Sequence, residues 1–200
     1  MENNFLNLQK NRRTIYALGK NVKQDSDEIA DLIKETIKQA PTPFNSQSTR
    51  AVILFNNAHK KLWDIVLNNL KPHLKTEDAV KATTEKINGF SNSFGTVLYF
   101  TDMDVVHGLE EKFPAYADNF YDWSEQSQGN AQYAVWTSLA ENGIGANLQH
   151  YNPLIDEDVA KEFDIPASWK LRGEMDFGSI EAPAGDKDYM DDEKRFKIFK

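Results

Sequence analysis

Two short apolar runs constrain the fold most strongly. Ala51–Phe55 contains only apolar residues and has the length of a β-strand. A strand without polar alternation is typical of a sheet that is covered on both faces. Thr96–Phe100 predicts a second strand of similar character, and further strands are predicted at Gly145–Tyr151, Trp169–Met175 and Lys194–Phe199. We therefore expect a central sheet of about four or five strands.

Helical patterns separate these strands. Asp25 and Glu28 resemble an N-terminal capping pair, and an apolar stripe follows them until Pro41 ends the helix. Further helical patterns cover residues 62–70, 76–87, 113–123, 130–141 and 158–163. Helices interleaved with a modest sheet predict the α+β class. Because no repeat or linker-like segment interrupts the chain, we predict a single domain over residues 1–200.

The composition excludes several classes of site. The chain has no cysteine, which excludes disulfides, thiolate nucleophiles and thiolate metal sites and fits a reducing cytosol. None of its four histidines lies at metal-ligand spacing from another, so no metal site is expected. No apolar stretch reaches the roughly 18 residues of a membrane span, and the N-terminus lacks a signal-peptide core. We expect a cytoplasmic protein without a membrane-spanning segment.

The charge distribution is uneven. The net charge of −8 disfavours binding to a nucleic-acid backbone. Within this acidic chain, basic residues gather at Lys10–Arg13 and Lys194–Lys197. Two such islands form a site for one small anion, or they are simply two solvated ends of the chain. The composition alone does not distinguish these alternatives.

Four segments, taken in order, resemble the nitroreductase superfamily. They are the basic opening Asn11–Tyr16, the proline-containing loop Ala40–Gln47, the segment Gly143–Asn152 and the closing basic residues Arg195–Lys197. Each motif alone is common, but the four span the chain in the family's order. The forms Arg-Arg-Thr-Ile-Tyr and Leu-Gln-His-Tyr-Asn resemble the fatty-acid-repression-mutant-like branch of bacteria and yeasts. This resemblance implies a nitroreductase-like α+β fold, with a mixed or antiparallel sheet surrounded by helices.

The resemblance also implies where FMN is bound. Arg12, aided by Arg13 and Thr14, is expected to hold the FMN phosphate, and Arg195 and Lys197 are expected to return to it from the C-terminus. Guanidinium groups suit this role because they form forked, charge-assisted hydrogen bonds to phosphate. On this interpretation, the two basic islands serve one anion.

Contacts with the flavin ring are implied for two other segments. The amides of Asn45 and Gln47 are expected to reach the flavin of the partner subunit, where they can both donate and accept hydrogen bonds. An ordinary proline-rich turn is the alternative for this loop. Leu148, Gln149 and His150 are expected to place a backbone N–H near flavin N5. Whether His150 contributes its ring or only its backbone stays open.

The sequence departs from the family pattern at two places. Better-known nitroreductases carry a basic residue where Tyr16 stands, facing the O2 edge of the flavin. A neutral hydroxyl there gives less stabilisation to reduced, anionic flavin. An asparagine contact expected before the second strand has two candidates, Asn88 and Asn92, and neither is preferred.

The resemblance implies a homodimeric FMN-dependent oxidoreductase. Hydride passes from NADH or NADPH to a nitroaromatic or quinone-like acceptor by a ping-pong mechanism, so no catalytic nucleophile or general acid is expected from the protein. Phe120, Tyr121 and Trp123 either cover a small aromatic acceptor or pack in the core. One alternative is a flavin-binding regulatory or stress-response module with incidental reductase activity. Another is an acidic helical interaction domain without a cofactor.

Overall fold

The computed structural model describes residues 3–200, so Met1 and Glu2 of the predicted domain lie outside the described residues. Eight α-helices and five β-strands occur in the described part of the chain. The helices are α1 Asn4–Asn11, α2 Ser26–Gln39, α3 Asn56–Leu70, α4 Glu77–Ser91, α5 Met103–Lys112, α6 Ala117–Glu141, α7 Asp156–Glu162 and α8 Asp192–Arg195. The strands are β1 Leu18–Gly19, β2 Thr49–Phe55, β3 Gly95–Asp102, β4 Ile144–Gln149 and β5 Trp169–Ile180.

Local sequence explains where several helices begin. The Asp25 carboxylate accepts hydrogen bonds from the backbone N–H groups of Asp27 and Glu28, and the Glu28 carboxylate accepts one from the N–H of Asp25. This reciprocal capping box satisfies backbone donors that the first turn of α2 leaves free. The Thr76 hydroxyl caps α4 in a similar way, by accepting from the N–H of Ala79. The capping prediction for Asp25 and Glu28 is therefore confirmed.

All five strands form one antiparallel sheet. β5 is its centre and pairs with β1, β3 and β4, while β2 pairs with β3 at one side. Thr14 forms an isolated parallel bridge to Ala146 of β4, so the segment after α1 lies beside β4, away from the edge formed by β2. The prediction of an α+β fold with a mixed or antiparallel sheet of four or five strands is confirmed.

Helices cover both faces of the sheet. On one face, α3 and α4 pack Trp63, Val66 and Phe90 against Leu98 and the neighbouring strand residues. On the other face, α2 and α6 supply Ile29, Ile33, Val135 and Leu139, which pack against a second set of strand residues. Every residue of β3 is buried, as expected for an inner strand between two helical layers. Ala51–Phe55 also packs on both faces, with Val52 and Leu54 on one side of the sheet and Ala51, Ile53 and Phe55 on the other. Because β2 is an outer strand, all of these residues except Leu54 are only half-buried.

The structure changes two sequence predictions and adds one helix. Residues 113–123 and 130–141 were predicted as separate helices, but α6 runs through them from Ala117 to Glu141. α5 was not predicted. The strand predicted at Lys194–Phe199 was wrong: residues 192–195 form α8, and the residues after it are exposed and form no strand. No helix of the described residues is long and apolar enough to cross a bilayer.

Candidate functional site

A cavity of about 520 Å³ opens beside the segment that follows α1. Residues 12–17 form one wall, and residues 182–185 together with Lys187, beyond the end of β5, form the other. Its volume lies in the roughly 300–1,000 Å³ range of small-molecule sites. Arg12, Arg13 and Lys187 give it three cationic side chains within an acidic protein. The cavity is therefore suited to an anionic ligand.

Arg12 is held in a fixed orientation by aromatic residues. Its guanidinium lies over the Trp136 ring of α6, with 4.5 Å between Cζ and the ring centroid, and it lies 5.9 Å from the Tyr133 centroid. Arg12 Nε is buried and donates no hydrogen bond within the described chain. Since buried donors are nearly always paired, a fixed guanidinium with an unused donor fits a phosphate oxygen as the missing acceptor.

Arg13 connects the two walls of this cavity. Its Nη2 donates a 2.6 Å hydrogen bond to the carbonyl oxygen of Gly185. Thr14 pairs with β4, and Tyr16 lines the cavity with 64% of its surface exposed. The four residues of the basic opening that were predicted to contact FMN therefore line one cavity: Arg12, Arg13, Thr14 and Tyr16. Lys187 joins them, although the sequence interpretation did not select it.

The segment predicted to contact the flavin ring lies next to this cavity. The Ile15 N–H donates to the Ala146 carbonyl at 3.0 Å, which joins the cavity wall to β4. The Asn147 side chain strengthens this join, because its Nδ2 donates to the Ile15 carbonyl at 3.0 Å. Leu148 and Gln149 follow on β4, so they are close to residues 12–16. Sequence interpretation missed Asn147, whose only signal was a polar residue within a short strand.

His150 directly follows β4 and is exposed. Its ring lies against Gly173 of β5, where an added Cβ atom would come 3.4 Å from Nε2. Because that distance is an ordinary van der Waals contact, the imidazole does not depend on a glycine at this position. This placement is compatible with either contribution, through the ring or through the backbone.

The loop Pro41–Gln47 carries unusual backbone torsion angles. Phe44, Asn45 and Gln47 have φ values of 55°, 50° and 52°, in the left-handed region that costs a residue other than glycine about 1–3 kcal/mol. The Thr42 hydroxyl accepts from the Gln47 N–H at 3.0 Å, and Arg50 donates to the Gln47 carbonyl. Asn45 and Gln47 are exposed and do not line the Arg12 cavity of their own chain. The surrounding contacts therefore hold a strained loop with its amides facing outward.

Arg50 is itself fixed by an ion pair. Its Nη2 donates to Asp102 Oδ2 at 2.9 Å, and its guanidinium lies 5.8 Å from the Trp169 ring centroid. The other oxygen of Asp102 caps α5 by accepting from the Asp104 N–H. The strained loop is thereby attached to the sheet and to the start of α5.

A second cavity, of about 410 Å³, lies between this loop and α6. Phe44 packs its ring 4.9 Å from Phe113, 5.5 Å from Phe120 and 6.4 Å from Trp123, measured between centroids. Phe44 and Trp123 also line the cavity, beside the polar side chains of α6. Within the aromatic stretch, Phe120 is fully buried in the core, whereas Trp123 lines the cavity. That this stretch covers an acceptor stays a prediction.

The closing basic residues lie elsewhere. Arg195 and Lys197 are exposed, and neither lines the Arg12 cavity. The Arg195 guanidinium lies over the neighbouring Phe196 ring, at 5.4 Å. The structure of one chain therefore does not bring them to Arg12, and their role at the phosphate stays a prediction. Within residues 3–200, no group of three or more His, Cys, Asp or Glu side chains is arranged to hold a metal ion.

Two carboxyl groups on β5 are fully buried beside the β4 segment. Burial raises the pKa of Glu174 to about 8; a 2.9 Å hydrogen bond from the Tyr151 N–H lowers the pKa, and nearby Asp156 raises it. Burial also raises the pKa of Asp176 well above its usual value, although hydrogen bonds from Ser93, Thr96 and Asn147 partly offset this. Both groups therefore favour the protonated form more than an exposed carboxyl does.

Comparison with known proteins identifies relatives of this chain. A family model described as the nitroreductase family matches residues 10–179. Among proteins of Saccharomyces cerevisiae, HBN1 is 37% identical over 90% of this chain and 89% of its own length, and the nitroreductase FRM2 is 32% identical over 94% and 93%.

Several solved structures are also similar to this chain. The nitroreductase CinD from Lactococcus lactis in complex with nicotinic acid is 55% identical, with a TM-score of 0.91 over 98% of this chain and 100% of that one. Its complexes with chloramphenicol and 4-nitrophenol give a TM-score of 0.90 over the same shares, at 53% and 54% identity. Since the family model spans most of the residues and both yeast proteins align over nearly the whole chain, this protein belongs to the nitroreductase family, in the branch of the fatty acid repression mutant proteins.

Proposed function

We propose that this protein is an FMN-dependent oxidoreductase that takes hydride from NADH or NADPH and passes it to a nitroaromatic or quinone-like acceptor. The observation that carries the proposal is the unused buried donor of Arg12 in a cationic cavity. A phosphate placed there would accept from Arg12 and be neutralised by Arg13 and Lys187, while the Thr14 hydroxyl lies in the same wall.

The residues beside the cavity fit the rest of a flavin. Bound FMN would supply the hydride chemistry, which amino-acid side chains alone do not provide. Backbone N–H groups around Leu148, Gln149 and His150 would stabilise negative charge at the ring's N5. Tyr16, a neutral hydroxyl on the cavity wall, would face the O2 edge. Binding, orientation and charge stabilisation are thus the tasks of the protein.

The aromatic cavity fits a flat acceptor. Phe44 and Trp123 provide apolar faces, and Gln126, Ser127 and Asn130 provide hydrogen-bonding groups nearby. CinD, which is about half identical to this chain, is described in complexes with 4-nitrophenol and with chloramphenicol. Small aromatic compounds of this kind are the proposed acceptors. We further propose that the hydride donor and the acceptor occupy the same place beside the flavin in turn, as a ping-pong mechanism requires.

The proposed active unit is a cytoplasmic homodimer. Asn45 and Gln47 are exposed without lining the cavity of their own chain, and a strained loop presents them. A second copy of the chain would bring these amides to its partner's flavin. A loop that is already fixed loses less conformational freedom on binding, which favours such a contact.

Purification and turnover test the proposal. The protein should be yellow, with flavin absorbance near about 450 nm, and it should oxidise NADH or NADPH steadily when 4-nitrophenol or a quinone is added. Yellow protein that shows no turnover with either donor would favour the regulatory flavin-binding alternative. Colourless protein that does not bind added FMN would contradict the proposed function and favour an interaction domain.

A further inference from the structure

A row of polar side chains crosses the sheet inside an otherwise apolar core. Thr96 of β3, Asp176 of β5 and Asn147 of β4 are directly opposite one another in register. All three have no exposed surface. Beyond Asn147, the row ends at the Ile15 carbonyl on the wall of the Arg12 cavity. The row therefore connects the centre of the sheet to the proposed flavin site.

The end of the row remote from the cavity is anchored by side chains from the α3 and α4 layer. The Thr96 hydroxyl lies 2.9 Å from His59 Nδ1 and accepts from Trp63 Nε1 at 3.2 Å. The Ser93 hydroxyl donates to Asp176. Burial lowers the pKa of His59 to about 4 and raises that of Asp176. Burial thus disfavours the charged forms of His59 and Asp176, and the polar atoms of the row act through hydrogen bonds.

The cavity end of the row joins two segments of the proposed site. Asn147 Nδ2 donates to the Ile15 carbonyl at 3.0 Å, and Asn147 Oδ1 accepts from Gln149 Nε2 at 2.8 Å. Ile15 lies between the phosphate-binding residues and Tyr16, whereas Gln149 belongs to the segment at the flavin ring. One buried carboxamide thus adds a side-chain link between both halves of the site to the backbone hydrogen bond from Ile15 to Ala146.

Stability alone does not require a carboxamide here. Burying an amide gains little over a well-packed apolar side chain, because its hydrogen bonds replace those made to water. What the amide adds is the directionality of its hydrogen bonds, since it binds the Ile15 carbonyl and the Gln149 amide at the same time. We propose that Asn147 is a positioning residue that holds the Arg12–Tyr16 segment and the Leu148–His150 segment in the geometry that binds FMN. This inference rests on the proposed FMN-dependent function.

The test substitutes Asn147 by leucine, which has the same branching of heavy atoms but no hydrogen-bonding group. FMN dissociation constants are measured by fluorescence titration, and the two-electron potential of bound FMN is measured by equilibration with a reference dye. We expect FMN binding to weaken by about tenfold or more, the loss of roughly one hydrogen bond to a buried group. We also expect the potential to shift, because backbone donors near N5 move.

Thr96→Val is the matched control. It breaks buried hydrogen bonds in the same row but leaves the contacts to Ile15 and Gln149 intact. The control should lose stability in denaturant titration while keeping the wild-type FMN affinity and potential. If Asn147→Leu does not fold, Asn147→Ser provides the same comparison, because its shorter hydroxyl cannot bond both partners.

The outcomes distinguish positioning from general packing. Unchanged FMN affinity and potential in a folded Asn147 variant would overturn the inference. So would losses that merely follow the loss of stability and are matched by Thr96→Val. If the wild-type protein itself binds no FMN, the proposed function fails first, and the result is recognisable before any variant is compared.

Discussion

The buried Glu174 carboxyl should make the protein less stable as pH rises. Its pKa is about 8 in the folded chain, compared with an ordinary value of 4.5. Below pH 4.5 both states are protonated, and the folded state carries no penalty. As pH rises from 4.5 towards 8, the unfolded chain releases this proton while the folded chain retains it. Folding stability should therefore fall with pH across this window, and the loss is complete above the folded pKa.

The magnitude follows from the size of the shift. Each pH unit within the window corresponds to about 1.4 kcal/mol for one proton. From pH 4.5 to pH 7 the contribution accumulates to about 3 kcal/mol, an order-of-magnitude figure for a side chain without exposed surface. Glu174→Gln removes the titrating proton and keeps an oxygen that can accept from the Tyr151 N–H. The new amide N–H groups add a penalty that does not depend on pH.

The slope of stability against pH is therefore the quantity to compare. Urea unfolding of wild type and Glu174→Gln is measured from pH 5 to pH 8 at one protein concentration, because the stability of the proposed dimer would depend on concentration. The stability of the variant relative to wild type should increase by up to about 1.4 kcal/mol per pH unit. Leu171→Ala, which creates a cavity in the same strand without a titrating group, should lower stability and leave the slope unchanged. Parallel curves for wild type and Glu174→Gln would refute the reasoning.

Three further predictions concern the proposed site. Arg12→Ala should weaken FMN binding by about tenfold to 150-fold, because one charged hydrogen-bonding group is lost. Arg195→Ala should have a milder effect. If equilibrium titration finds full FMN affinity in the double variant, neither residue binds the phosphate. In a mixed dimer of Arg12→Ala and Asn45→Ala chains, one site should carry both lesions and the other neither, so that about half the flavin remains if the loop acts across subunits. A monomer that binds FMN at full affinity, detected by sedimentation, would contradict that arrangement. Activity should survive EDTA, and a loss reversed by one specific metal ion would reveal a site that the sequence interpretation missed.

Local signals explain which features were predictable. Asp25 and Glu28 cap α2 because the capping box needs only residues that are neighbours in sequence. The strand at Thr96–Phe100 follows from an apolar run that only a doubly covered sheet accommodates. The basic opening around Arg12 was found as a motif, and the structure places Arg12, Arg13, Thr14 and Tyr16 at one cavity. In each case the signal and its consequence lie within a few residues.

Features that depend on distant partners were not predictable in this way. Two separate helices were predicted over residues 113–123 and 130–141, yet packing of α6 against α2, α5 and the sheet keeps its 25 residues continuous. A strand was also predicted at Lys194–Phe199, but within the described residues no neighbouring strand pairs with this segment. A propensity for extended structure becomes a strand only when another edge is available for hydrogen bonding.

Local sequence pattern was enough to predict the class of fold, the capped helices, the inner strand and the basic motif of a nitroreductase. Tertiary structure alone decided that Lys187 rather than Lys197 lines the Arg12 cavity and that Asn147 joins its wall to β4. It also decided that Glu174 and Asp176 are fully buried, although their alternation with apolar residues is typical of a strand with one exposed face. Burial is set by the strands and helices that flank a residue in space, and the sequence does not state which those are.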